Sequence, residues 1–154
     1  PASAANDNDA GANPPPAQPD PNTLNVRGHG TRGRPDLAAQ KYHEVIPALR
    51  DKRIPGIESA THNGLGRAAL ASGDVQAARE HFEHALELVR ETGHRREIAM
   101  SLDGIACCLA ATEPHRARVL WQRALKLLIE LDMPERFEVE KRLALAERRR
   151  PTAR

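Results

Sequence analysis

Few residues of this chain have types and spacings that could do chemistry. Cys107 and Cys108 are its only cysteines, and they are neighbours. Adjacent residues on a helix point about 100° apart, so an ordinary disulfide between them would break the helix. They read as small packed residues of a reduced, cytoplasmic protein, with a vicinal thiol switch as the alternative. His81 and His84 lie three apart, a spacing at which two imidazoles on one helix face can share a metal ion. No cysteine or carboxylate set converges on them in sequence, so a solvated face is expected. His62 and His115 have no partner visible in the sequence. Gly64-Leu65-Gly66 neither follows a strand nor has the spacing of a dinucleotide fingerprint. With no phosphate loop, nucleophile elbow or metal signature to read, the expectation is a non-enzyme without cofactor or resident metal.

The strongest charge run, Arg148-Arg149-Arg150 with Arg154, reads as a solvated helix end whose cations complement the helix dipole. Nucleic-acid contact is the weaker reading, because there is little aromatic surface for bases to stack on. Net charge is only +2, from 23 basic and 21 acidic residues, so no global field calls for nucleic acid or membrane. No apolar run approaches the roughly 18 residues of a membrane span.

These residues are positioned by a core that is 40% hydrophobic in composition but only 3% aromatic. Such a core is Leu and Ala packed between closely approaching helices, and it argues against a β-sandwich. The organising stretch is Ala78–Val89, AREHFEHALELV, with Ala78, Phe82, Ala85, Leu86 and Val89 on one helical face. It returns at Ala117–Leu128, where Ala117, Trp121, Ala124 and Leu125 each stand 39 residues after their counterparts. A weaker copy at Ala38–Leu49 puts Tyr42 at the aromatic place and Val45 at the small-residue place, each 40 before Phe82 and Ala85. Three of the four aromatics thus occupy equivalent places, which marks an internal repeat.

Residues 1–34 read as a disordered linker. The stretch through Pro35 holds seven of the twelve prolines and almost no large apolar residue, so it cannot offset its ordering entropy. Arg27, Arg32 and Arg34 are read as solvated, with an acidic partner as the alternative. The chain begins without methionine, as a fragment or processed product would. Six helices are then expected: about 36–50, kinked or ended near Ile46 by Pro47; 57–72; 75–92; 95–111; 114–131; and 134–148. Gly73-Asp74 should end the second helix and cap the third. In the last helix Phe137 and Leu143, with Val139 and Ala146, should cover the end of the stack. Glu138, Glu140, Lys141, Arg142 and Glu147 should face water. A basic tail occupies 149–154.

Leu65-Gly66, then Gly73-Asp74, then Ala78-x-x-x-Phe82-x-x-Ala85, resembles the tetratricopeptide pattern. The second copy, Ile105-Ala106 followed by Ala117-x-x-x-Trp121-x-x-Ala124, matches it without the glycine of Leu-Gly and without the Gly-Asp turn. His62 and Leu102 stand where the family usually has Trp, and the period of 39–40 resembles its longer variety. The wording of Asn63–Ala106, with the later LWQRAL and MPERFEVEKRLA, further resembles the C-terminal repeat regions of actinobacterial transcriptional regulators of the Streptomyces antibiotic regulatory and large LuxR types.

The resemblance implies an all-α, right-handed stack of helical hairpins over residues 35–148. It also implies a concave groove lined by the first helix of each hairpin. Carried over by position, the groove residues are Asn63, Arg67 and Leu70, then Met100, Asp103, Cys107 and Ala110. Asn63 and Arg67, one turn apart, would face a ligand together, and Asp103 would place negative charge beside them. The bland alternative is that these residues are solvated or pack on other domains of a parent protein. The function so implied is non-catalytic binding of a protein or peptide within a transcriptional regulator, with no direct nucleic-acid or membrane contact. The alternative is a free-standing scaffold that self-associates, as a homodimer, through its repeat ends.

Overall fold

The computed structural model describes residues 34–52 and 54–148. The basic tail and all but the last residue of the expected linker lie outside the described residues. The described chain forms six helices: α1 (Pro35–Lys52), α2 (Pro55–Ser72), α3 (Val75–Val89), α4 (Arg95–Leu109), α5 (Pro114–Glu130) and α6 (Arg136–Arg148). Each packs on its neighbour in sequence, and α2 also packs on α4. The first helices of successive hairpins therefore form a layer of their own, with the helices that bear the repeated aromatics behind it.

Local chemistry sets most helix ends. Gly73 takes a left-handed conformation (φ 86°), and the Gly73 and Asp74 N–H groups close the last turn of α2 on the Leu70 and Ala69 carbonyls. Asp74 Oδ1 then accepts from Ala77 N at 3.0 Å and starts α3. Proline opens α2 and α5, where its missing N–H costs nothing. Other ends differ from the expected ones. Helix α1 runs through Pro47 to Lys52: Pro47 and His43 are both exposed, so water can serve the carbonyl that proline leaves unbonded. Helix α3 stops at Val89 rather than 92, and α4 at Leu109. Asp132 (φ 51°) adopts the left-handed cap of α5, Met133 N bonds Leu128 O at 2.9 Å, and α6 begins two residues later than the pattern suggested.

The repeat is a packing repeat. Ala78, Phe82, Ala85 and Val89 are buried on α3, and Ala117, Trp121, Ala124 and Leu128 are buried on α5. Phe82 lies between two first helices, where a Cβ on Gly66 would stand 2.7 Å from its ring and one on Gly104 would stand 2.5 Å from its Cγ. These are the close approaches that make glycine inside a helix worth its propensity cost of about 1 kcal/mol. Leu65, Ile105 and Ala106 are buried beside them. Tyr42 meets Gly64 in the same manner at the half-buried start of the stack. The small-residue place of the first copy is not kept: Val45 is 45% exposed and Leu49 is buried instead.

Helix α6 closes the other end with Val139 and Leu143, as expected, and Ala146 packs against the core. Phe137 does not join them. It is 52% exposed and carries the Arg136 guanidinium 4.7 Å above its ring. Arg142 does not face water either, because it is drawn inward by Asp103. Among the described residues no helix is long and apolar enough to cross a membrane.

Candidate partner-binding groove

The α2–α4 layer carries the residues expected to line a groove, and the structure sorts them into two groups. Asn63 is consumed within the fold. It is 1% exposed, its Nδ2 donates to Glu97 Oε2 at 3.1 Å, and its Oδ1 accepts from Ser101 Oγ at 3.0 Å. A buried amide must find such partners, and here they come from the next first helix. It therefore cannot face a ligand with Arg67 as the one-turn spacing suggested.

Asp103, 40 residues after Asn63, makes the corresponding contact one hairpin later. Its carboxylate accepts from both Arg142 (2.7 and 2.8 Å) and the Trp121 indole N–H (3.0 Å). Burial pushes its carboxyl above the ordinary value, while the Arg142 guanidinium, the indole N–H and the charge of Arg67 pull it back. Both side chains of the Asp103–Arg142 pair are nearly covered, at 14% and 12% exposure. Asp103 thus does not put a bare negative charge into the groove; Arg142 cancels it.

Arg67, Leu70, Met100, Cys107 and Ala110 remain half-buried, and the last four pack one side against the core. The open part of this layer is accordingly apolar, with the Arg67 cation beside it. Cys107 has little acid chemistry: burial, and then the Asp103 charge, push its thiol far above the ordinary range. Its buried neighbour Cys108 is pushed up to about 11, again chiefly by burial. Both cysteines are free, as packed thiols should be.

Sequence reasoning missed Glu97, Ser101 and Arg142. The signal was the period itself, since Asn63 to Ser101 and Asp103 to Arg142 span 38 and 39 residues. It also left His62 without partners. His62 in fact lies 4.4 Å from His84 and 5.4 Å from His81, centroid to centroid, with its Nδ1 3.2 Å from His81 Nδ1. Its partners sit on the next helix, 19 and 22 residues on. The carboxylates Glu80, Glu83, Glu87 and Glu91 lie at the surface as expected.

Stacked hairpins whose first helices form one layer define an α-helical repeat protein. Residues 57–130, just under half of the chain, match the tetratricopeptide repeat family. No curated protein and no solved structure matches the chain. The family match and the six-helix stack together support a tetratricopeptide-repeat protein, a fold that is generally non-catalytic and binds proteins or peptides.

Proposed function

We propose that this chain is the sensory or autoregulatory repeat region of a bacterial transcriptional regulator, acting by holding a partner segment in its α2–α4 groove. The observation that carries the reading is the division within that layer. Its polar members, Asn63 and Asp103, are used up by the fold, whereas Leu70, Met100, Cys107 and Ala110 stay partly open beside Arg67. A partly exposed apolar row with one flanking cation suits a helix that offers an apolar stripe and an acidic residue. The regulator setting rests on the resemblance of the Asn63–Ala106 wording.

A second reading is favoured by the exposed apolar residues at the stack's end. Phe137 and Leu145 on α6 are 52% and 45% exposed, and repeat ends that bare such residues pair with copies of themselves. Sedimentation equilibrium over a range of concentrations separates the two. A monomer throughout supports a groove awaiting a foreign partner. A dimer that Phe137→Glu dissociates establishes self-association instead. In the parent polypeptide, Met100→Glu should then change the output of the regulated promoter while the chain stays folded, with a moderate loss of melting temperature because one side of Met100 packs against the core. A folded Met100→Glu protein with unchanged output would sink the groove.

A further inference from the structure

Four of the seven histidines meet in one place, away from the groove. Glu58 and His62 stand one turn apart on α2, and both are buried. His84 reaches them from α3, and one ligand atom from each of Glu58, His62 and His84 lies within 4.8 Å of the other two. His81 stands behind His62, joined to it between Nδ1 atoms at 3.2 Å, and His43 of α1 stands 6.3 Å behind His81. We propose that Glu58, His62 and His84 form a binding site for a divalent transition-metal ion of the zinc class, which pins α2 to α3.

The donor set is two imidazoles and a carboxylate, three protein ligands around a position that water can complete. This set suits zinc, cobalt or nickel and not calcium or magnesium, which want oxygen ligands in greater number. Donors bound tetrahedrally to one zinc ion stand about 3.3–3.6 Å apart, so three donors within 4.8 Å need only small side-chain shifts to close on it. The His62–His81 contact supplies the outer support usual for such ligands. With His62 Nδ1–H donating to His81 Nδ1, the tautomer is set and Nε2 becomes the nitrogen for a metal. His84 is exposed, so an ion has a way in.

The test uses the full chain, freed of metal by a chelator and titrated with Zn2+ alone and with Co2+ alone. Zn2+ should bind once per chain and raise the melting temperature by roughly 10–15 °C at a hundredfold excess over its dissociation constant. Co2+ should develop the intense visible bands of low-coordinate nitrogen and oxygen ligation, without the thiolate charge-transfer band that Cys107 or Cys108 would give. His84→Ala, at an exposed position, and Glu58→Gln should each weaken binding at least about tenfold. His81→Gln should weaken it by about tenfold through the lost support of His62. His115→Ala, on exposed α5 surface, should leave it unchanged. Absence of saturable binding at micromolar Zn2+, or binding that survives His84→Ala undiminished, would overturn the site.

Discussion

Gly104→Ala is the sharpest probe of how the stack is packed. In an exposed helix the substitution would stabilise by about 1 kcal/mol, because alanine orders its backbone at lower cost. Here the new methyl would stand 2.5 Å from Phe82 Cγ, near the root of a ring that is only 1% exposed. The ring has little room to shift, because the Gly66 backbone crowds the same Cδ1–Cε1 side, where a Cβ would stand 2.7 Å from Cε1. Overpacking of this sort costs about 1–3 kcal/mol, and a pinned ring belongs at the upper end. The net loss should be about 2 kcal/mol, or on the order of 10 °C in melting temperature. The decisive assay is a double-mutant cycle by urea denaturation. Phe82→Leu alone should destabilise, since it opens a cavity in the core. In that background Gly104→Ala should turn neutral or stabilising, giving a coupling of about 2–3 kcal/mol. A Gly104→Ala protein as stable as wild type, or additive with Phe82→Leu, would refute the close-approach account of the glycines.

Breaking the buried pair by Arg142→Ala or Asp103→Ala should each cost about 3 kcal/mol in urea denaturation, and the combined Asp103→Leu, Arg142→Met change should cost much less. Asn63→Ala should cost about 2 kcal/mol, because it takes the amide donor from the buried Glu97 Oε2 and leaves Ser101 Oγ only the Glu97 carbonyl. Trp121→Ala should cost about 3–5 kcal/mol, whereas Trp121→Phe should lose only about 1–2 kcal/mol with the indole hydrogen bond to Asp103. With Cys108 at about 11 rather than 9, its thiolate at pH 8 is about a hundredfold scarcer than that of an ordinary thiol. Reaction of the native chain with a disulfide reagent should therefore be slower by at least that factor, should accelerate as pH rises, and should become fast in urea.

What the sequence determined by itself was everything that depends on periodicity within one helix or on a turn's own chemistry. Phe82 and Trp121 at equivalent places, the alanines that flank them and the Gly73-Asp74 cap were all legible, because burial at three- and four-residue spacing is a local property. Helix ends without a strong local signal drifted by two or three residues, and the Asp132 cap was invisible because aspartate announces a left-handed turn far less than glycine does. The tertiary structure alone decided what each polar side chain meets. Asn63 and Asp103 looked like ligand contacts, and Arg142 looked solvated, until α2, α4 and α6 were laid side by side with a rise of one repeat. The histidine cluster has the same origin: His81 and His84 are neighbours by spacing, but Glu58 and His62 reach them only across the α2–α3 interface. A pairing between helices depends on their register and crossing, which no single helix's sequence specifies; it is settled when the buried apolar faces lock that register.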